Sequence, residues 1–151
     1  MKLLFFLLLN LCSFIFADQP AQAQIRKIPA EVTDALMDKY PNAERVSWKD
    51  KLTSFSASFE IDHEKYEARF SDKGEWRSTE KEIDEDELTE EVKDGFEKSK
   101  YGDWQIQNVY SIELPGEETQ FRILVSKSDV QKKNLIFNSD GKLLKDHITF
   151  K

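Results

Sequence analysis

The sequence predicts an α+β fold made of two tandem units, each with one helix packed on a four-stranded antiparallel meander sheet. A stretch of helical periodicity is followed by short segments in which apolar and polar residues alternate, and this order occurs twice along the chain. An aromatic residue also precedes a turn glycine in both halves, as Phe70 with Gly74 and as Phe137 with Gly141. A polar turn closed by Gly between alternating segments is typical of a β-hairpin.

The first predicted helix covers residues 29–40. Pro29 suits a first helical turn, where its missing N–H costs nothing, and Val32 and Leu36 then follow at helical spacing. Pro41 ends the helix, because proline restricts the residue before it and cannot continue the hydrogen-bond ladder.

Four strands are predicted to follow in the first unit. Phe55, Ala57 and Phe59 alternate with serines over residues 54–61, a pattern typical of a strand with one buried face. The other alternating segments cover residues 45–49, 65–70 and 76–82. Because tight polar turns separate these short strands, they predict an antiparallel meander. Three tryptophans fall on the inward side of their strands and are expected to lie in the core: Trp48, Trp76 and Trp104.

The second unit has the same order of elements. An acidic cluster at residues 84–87 precedes a predicted helix over residues 86–100, where negative charge suits the positive end of the helix dipole. Strands are predicted over residues 104–114, 119–126, 131–138 and 142–150. The matching order favours duplication of one unit, with residues 28–82 and 83–150 as the two copies.

The first 23 residues are predicted to be a signal peptide and not part of the fold. Lys2 precedes an apolar run over residues 3–16, and Ala21-Gln22-Ala23 is a small-x-small cleavage site. The run is short for a membrane span. Cys12 follows Leu11, where a lipidation signal needs a small residue. We therefore expect a periplasmic or secreted protein that is cleaved near Ala23 and has no membrane anchor after cleavage.

The composition excludes several classes of function. A net charge of −7 and a pI near 5.0 argue against nucleic acid or an anionic membrane surface as the partner, because both need a basic surface. Cys12 is the only cysteine and leaves with the signal peptide, so thiol catalysis and thiolate metal sites are excluded. Eleven Phe, four Tyr and three Trp supply the apolar surface of a folded protein.

Several short motifs resemble those of the secreted PepSY-like family, which is also described as β-lactamase-inhibitor-protein-like. They are Ile28-Pro29-Ala30-Glu31-Val32 near the helix start, Tyr40-Pro41-Asn42-Ala43, the Val46-x-Trp48 strand and the Phe-x-x-x-Gly turn. The resemblance covers about residues 28–150. It implies tandem helix-plus-four-stranded-sheet units, a periplasmic or outer-surface location typical of Bacteroidota, and no established biochemical activity. The motifs are structural, so no catalytic or binding residue is transferred by the resemblance.

No group of residues points to catalysis, a cofactor or a metal. His63 and His147 are the only histidines and fall in different units, and residues 84–87 lack the spaced oxygen ligands and central Gly of a calcium loop. Asn138-Ser139-Asp140-Gly141 fits a hairpin turn better than a calcium site. No carboxylate pair or nucleophilic serine motif stands out. We therefore expect a non-enzyme without cofactor or metal.

Binding through the sheet is better supported, because a sheet covered by a helix on one face leaves the other face to solvent. The outward positions of the first unit are polar, with Ser54, Ser56 and Ser58 among them. In the second unit the same alternation places four apolar residues outward, and these are the predicted partner-binding residues: Val109, Leu124, Ile136 and Leu144. The alternative is that a register slip, or the strands of the other unit, bury them as ordinary core.

The favoured function is non-catalytic binding by an inhibitor-like or interaction module, which contacts another protein or a second copy of itself through its sheet face. The alternative from a different class is an envelope hydrolase or peptidase-associated protein that uses surface carboxylates. A pocket with two carboxylates in opposed environments would favour the enzyme. An open or concave sheet with apolar positions would favour the binder. A third alternative is an envelope protein that binds a small ligand or a metal.

Overall fold

A computed structural model describes residues 26–149 of the chain. Within this range, eight antiparallel strands form one sheet in which each strand pairs with the next in chain order. The strands are β1 (Glu44–Lys51), β2 (Ser54–Ile61), β3 (Glu64–Ser71), β4 (Trp76–Ile83), β5 (Gln105–Leu114), β6 (Glu118–Ser128), β7 (Gln131–Asn138) and β8 (Leu143–Ile148). Helix α1 (Ala30–Lys39) precedes β1, and a 3-10 helix (Glu85–Glu87) and helix α2 (Glu90–Glu97) precede β5. We call α1 with β1–β4 the first half, and α2 with β5–β8 the second half.

The predicted positions of the helices and strands are confirmed, with one correction at the second helix. The predicted helix over residues 86–100 is divided into the 3-10 helix and α2. Asp84 and Glu87 form a capping box, in which the Asp84 N–H donates to Glu87 Oε1 at 2.9 Å. Thr89 then caps α2, because its hydroxyl accepts a hydrogen bond from the Val92 N–H at 3.3 Å. The acidic cluster therefore caps the short 3-10 helix.

The predicted α+β fold of two tandem four-stranded units is wrong, because all eight strands belong to one continuous sheet. β4 pairs with β5 from Thr79 opposite Glu113 to Ile83 opposite Val109. The helices have only 10 and 8 residues, so the fold is mostly β. The physical reason is that two separate sheets would leave the N–H and C=O groups along β4 and β5 unpaired, and their pairing removes both edges. The predicted division at residues 82 and 83 stays a prediction and falls at the end of β4.

Both helices lie on the same face of the sheet. Ala68 packs in the core under α1 and is opposite Thr79 of β4. Ile83 lies on the same face of β4 as Thr79 and is opposite Val109, which packs in the core under α2. Side chains of opposed residues point to the same side of a sheet, which gives a single helix-covered face. Two core clusters lie between the helices and the sheet. The first contains Val32, Leu36, Phe55, Phe59 and Phe70, and the second contains Val92, Phe96, Ile123, Leu135 and Phe137.

The Phe-x-x-x-Gly turns place each helix on the sheet. Gly74 and Gly141 have φ angles of +80° and +76°, which favour glycine. A Cβ atom at Gly74 would lie 2.4 Å from the backbone oxygen of Glu31 in α1, and one at Gly141 would lie 1.9 Å from that of Glu91 in α2. Each hairpin turn therefore packs directly against the first turn of its helix, leaving no room for a side chain.

The predicted signal peptide, residues 1–23, lies outside the described residues, as does Phe150 at the end of the predicted last strand. Among the helices of residues 26–149, none combines the length and the apolar character needed to cross a membrane. Trp48 and Trp76 pack against the first core and Trp104 against the second, which confirms the predicted core positions of the three tryptophans.

Candidate functional site

Among residues 26–149, no helix lies on the face of the sheet opposite α1 and α2, and we call it the open face. A groove with a volume of about 570 Å³, the central groove, crosses it from β3 to β8. It is lined by Glu67, Arg69, Ser78, Glu80, Ile112, Leu114, Gln120, Arg122, Asn134, Ile136, Lys145 and His147. Because six neighbouring strands line one groove, the sheet is concave on this side.

A second groove of about 360 Å³ lies beside the central groove, over the first half. It shares Glu67 and Glu80 with the central groove, and its other polar walls include Ser47, Ser58 and Lys65. The open face of the first half is thus polar, as the alternation of serines on β2 predicts. Ser56 is buried and its hydroxyl donates to Glu67 Oε1 at 2.5 Å, so this carboxylate is held in place.

Arg122 on β6 ties the two halves together across the open face. Its Nε donates to Glu80 Oε2 at 2.8 Å, and its Nη2 contacts the other oxygen of the same carboxylate. Its Nη1 donates to Asn134 Oδ1 at 2.8 Å, and the guanidinium carbon lies 3.7 Å from the centre of the Tyr110 ring. The Asn134 amide in turn donates to the Thr149 hydroxyl at 2.7 Å. A bidentate pair with a stacked ring fixes the plane of the guanidinium.

The electrostatics of this pair follow from its partial burial. Burial lowers the pKa of Arg122, but the hydrogen bonds and the negative charge of Glu80 raise it by more, so that the net shift is upward. The side chains of Arg122 and Glu80 are only 21% and 22% exposed. Arg122 therefore stays charged and paired, and it acts as a rigid part of the groove floor.

The structure places the four predicted site residues differently. Leu124 lies on the open face between buried Ile123 and Val125, and Ile136 lines the central groove opposite Lys145. Leu144 is 40% exposed, at a register shift in β8 between Leu143 and Lys145, and does not line the groove.

The outward orientation predicted for Val109 is wrong. Val109 is 3% exposed and belongs to the core under α2. The reason is a β-bulge: Ile106 is opposite Val125 and Asn108 is opposite Leu124, so Gln107 is an extra residue in β5. One extra residue turns every later side chain of the strand to the other face. Regular alternation could not show this. The apolar residues at positions 106 and 109, three apart in one strand, are the signal that could have indicated the bulge.

The same bulge brings residues to the open face that sequence reasoning missed. Tyr110, Ile112 and Leu114 alternate from Asn108 onwards and lie on the open face. Ile112 and Leu114 line the central groove with Ile136, so the apolar part of the groove is formed by β5 and β7. The Arg122–Glu80 pair was also missed, because it depends on the pairing of β4 with β5, across which Glu80 reaches β6.

The histidines stay apart in the structure. His63 lies in the β2–β3 turn with a φ of 69°, whereas His147 lines the central groove. Across residues 26–149, no three His, Cys, Asp or Glu side chains come close enough together to hold a metal ion. The carboxylates of the central groove, Glu67 and Glu80, are held by Ser56 and Arg122. The geometry therefore supplies a shaped, partly apolar surface with fixed charges.

Comparison with solved structures places the fold among proteins from Bacteroides. A BLIP-like protein from Bacteroides fragilis is 28% identical, with a TM-score of 0.70 over 83% of this chain and 89% of that chain. A DUF2874 family protein from Bacteroides ovatus is 26% identical, with a TM-score of 0.72 over 82% of this chain and 89% of that chain. A protein from Bacteroides eggerthii, whose description proposes a periplasmic location, shares the fold at 24% identity and a TM-score of 0.73, over 82% and 90% of the two chains.

The comparison with family models agrees with the structural comparison. No curated protein matches the chain. Residues 53–145, more than half of the chain, match the model of the PepSY-like family, which is described as beta-lactamase-inhibitor-like. The resemblance predicted from the short motifs is thereby confirmed. The chain belongs to the PepSY-like, beta-lactamase-inhibitor-like family.

Proposed function

We propose that this protein is a non-catalytic binding module that contacts a partner protein through the central groove, in the manner of an inhibitor. The observation that carries the proposal is the concave open face, where Ile112, Leu114 and Ile136 form an apolar strip beside charged walls. An apolar strip rimmed by polar groups is typical of a protein contact surface. Membership of a beta-lactamase-inhibitor-like family agrees with binding in general.

The rigidity of the groove favours binding. Arg122 is held by Glu80, Asn134 and the Tyr110 ring, so its conformation is set before a partner arrives. Side chains that are already ordered lose little entropy on association. The paired state of Glu67 and Glu80 also speaks for binding over acid–base chemistry, which needs carboxylates in opposed environments.

The experiment is site-specific photo-crosslinking in the cells that make the protein. A photoreactive residue replaces Ile136 in the groove, and the matched control replaces Leu52, which is 92% exposed at the β1–β2 turn. We expect a protein adduct from position 136 that Leu124→Asp in the same chain prevents. Equal adducts from both positions, or none from position 136, would contradict the proposal. An adduct of twice the mass of the chain would identify a second copy as the partner.

We also propose export to the periplasm or secretion, with cleavage near Ala23. The proposal is supported by the basic start, apolar run and small-x-small motif of residues 1–23 and by the location suggested for the Bacteroides eggerthii structure. Cell fractionation followed by N-terminal sequencing of the purified protein tests it. A mature chain that begins at Gln24 is the expected result, and a cytosolic chain that retains Lys2 would contradict it.

A further inference from the structure

A third cavity lies at the end of the sheet where β6 turns into β7, and we call it the end cavity. It has a volume of about 410 Å³, within the range of small-molecule sites. Its apolar walls are Trp104, Val130 and Ile148. They come from three places along the chain: the residue before β5, the β6–β7 turn and the last residue of β8. The end cavity shares no lining residue with the central groove.

The apolar residues of the end cavity are unusually open to water. Val130 is 89% exposed and Ile148 is 61% exposed, which makes them two of the five exposed large hydrophobic residues of the described chain. Scattered single exposed residues need no explanation, but two that line one cavity form a patch. Trp104 is half-buried, with its ring in edge-to-face contact with Tyr101, 5.2 Å between ring centres, so the cavity also has a rigid wall.

The charged residues of the end cavity are all basic. Lys127, Lys132 and Lys133 line it, and within residues 26–149 none of them forms an ion pair with a carboxylate. Asp146, the acidic residue nearby on β8, is already bound by Lys100 at 3.1 Å and by the Tyr101 hydroxyl. Lys132 and Lys133 are neighbours in β7, so their side chains point to opposite faces of the sheet, and Lys133 shares the face of its partner Ile148. Lys127 and Lys133 therefore give the cavity a local positive charge on a chain with a net charge of −7.

We propose that the end cavity binds an anionic amphiphile, a molecule with one acyl chain and a carboxylate or phosphate head. The acyl chain of the ligand would lie against Trp104, Val130 and Ile148 and so remove these exposed apolar side chains from water. The acidic head would contact Lys127 and Lys133, whose flexible stems reach past the apolar walls. The two parts of the ligand match the two parts of the cavity, and this complementarity selects an anionic over a neutral or cationic amphiphile.

The test is isothermal titration calorimetry of the full mature protein with decanoate below its micelle concentration. Decyltrimethylammonium has the same chain length and the opposite charge, and acetate has the same head without the chain. We expect saturable heat with decanoate and none with the other two. Saturable binding of the cation, or no binding of decanoate, would overturn the proposal.

Variants test separately the part of the end cavity that would contact the acyl chain and the part that would contact the acidic head. Ile148→Asp should weaken decanoate binding by about tenfold, since it places a like charge where the chain lies. Lys127→Glu with Lys133→Glu should weaken it by a similar factor through the head. The controls are Leu52→Asp, also an exposed apolar residue, and Lys98→Glu, an exposed lysine on the helix side. Equal losses in the control variants would overturn the assignment.

Vesicles distinguish a soluble ligand from a membrane surface. The protein is mixed with vesicles of phosphatidylglycerol and, separately, of phosphatidylcholine, and sedimentation measures the bound fraction. We expect no sedimentation with either vesicle and full binding of monomeric decanoate. Sedimentation with phosphatidylglycerol alone, without decanoate binding, would overturn the cavity proposal in favour of membrane docking. The photo-crosslink at Ile136 is independent of these results, so failure of one proposal does not affect the other.

Discussion

The two halves of the sheet have the same elements on one side and different surfaces on the other. In both, a helix lies over four strands, with a core phenylalanine before the turn glycine that contacts the helix: Phe70 and Gly74 in the first half, Phe137 and Gly141 in the second. On the open face, the first half presents serines and charged residues, whereas the second adds Ile112, Leu114, Leu124 and Ile136. The helix-covered side must fill a core, which constrains its residues. The open side has no such constraint, and the halves differ there.

The halves also differ in how closely the hairpin turn approaches the helix. In the second half the turn passes over Gly95 of α2, where a Cβ atom would lie 1.9 Å from the backbone oxygen of Gly141. The first half has Ala35 at the position three residues after Val32, as Gly95 follows Val92. The smaller residue allows the closer contact. Glycine costs helix stability of about 1 kcal/mol relative to alanine, so the close packing must compensate for it.

The largest expected effect tests whether the halves are energetically one body. Phe70→Ala and Phe137→Ala each remove a fully buried ring, and each should cost about 3–5 kcal/mol of unfolding free energy. Because β4 pairs with β5, we expect each variant to unfold in one transition that includes both halves. Urea denaturation followed by circular dichroism and by tryptophan fluorescence measures this. Two separate transitions, with only one shifted by each variant, would show that the halves are independent.

Replacing a turn glycine by alanine should destabilise the protein by an amount that depends on the space around the added Cβ atom. Gly141→Ala places a Cβ atom 1.9 Å from the Glu91 backbone oxygen, and Gly74→Ala places one 2.4 Å from that of Glu31. Gly116→Ala is the matched control, because its φ is +86° and, apart from its chain neighbours, no heavy atom of residues 26–149 lies within 4 Å of the added Cβ atom. The control should cost about 1–2 kcal/mol for the backbone alone, and Gly141→Ala roughly 1–3 kcal/mol more for overpacking. Thermal unfolding measures the loss of stability in each variant. A loss in Gly116→Ala equal to that in Gly141→Ala would contradict the prediction.

The Arg122–Glu80 pair should matter more than an exposed pair within one half. Arg122→Ala leaves Glu80 half-buried without its partner, which should cost about 1–3 kcal/mol. Arg77–Glu75, with both side chains about 60% exposed, is the comparison, and Arg77→Ala should change stability by less than about 0.5 kcal/mol. Chemical denaturation of both variants tests this. Equal effects would mean that the connection across the halves adds nothing to stability.

The loss of folding stability at alkaline pH should depend on Tyr40, in the first half. Burial raises the pKa of Tyr40 to about 12, although its hydrogen bond with Thr79 acts in the opposite direction. The folded state therefore keeps the Tyr40 proton while the unfolded state loses it, and the associated stability declines as the pH rises from about 10 towards 12. The stability difference between the natural protein and Tyr40→Phe should shrink over that range. A stability difference between the two proteins that does not change with pH would contradict the predicted upward shift of the Tyr40 pKa.

The smallest expected effect is an acid dependence in the second half. Hydrogen bonds from the Tyr101 hydroxyl and from Lys100 lower the pKa of Asp146. Since the folded carboxyl gives up its proton more readily than the unfolded one, its contribution is present above the ordinary aspartate pKa and is lost as the pH falls through the folded value. Asp146→Asn should make unfolding free energy less sensitive to acid. An unchanged acid profile in this variant would show that the shift does not contribute.

Local patterns predicted most of the helices and strands, and the reason is physical. Period-2 alternation on β2 and the proline before α1 depend on neighbouring residues only, so the sequence shows them directly. Gly74 and Gly141 also marked the hairpins correctly, because a positive φ is a local requirement. The division of the second helix was missed, since capping at both Asp84 and Thr89 depends on side-chain hydrogen bonds that periodicity does not include.

The candidate site was predicted only in part. Ile136 and Leu124 follow from alternation and lie on the open face, whereas Val109 was misplaced by the bulge at Gln107. The bulge turns β5 over, and this one change moves Val109 into the core and brings Ile112 and Leu114 to the groove. The end cavity could not be predicted, because Trp104, Val130 and Ile148 are far apart in sequence and meet only at one end of the sheet.

The sequence by itself determined the positions of most helices and strands and the resemblance to the family, because apolar periodicity, turn residues and short motifs are properties of neighbouring residues. The tertiary structure decided that the eight strands form one sheet, which way β5 faces, and where Arg122 meets Glu80. The direction in which β5 faces depends on the bulge at Gln107 in its pairing with β6. The single sheet and the Arg122–Glu80 contact depend on pairing between β4 and β5, which α2 separates along the chain. The free energy of that pairing comes from satisfying two strand edges at once, and no local pattern records it.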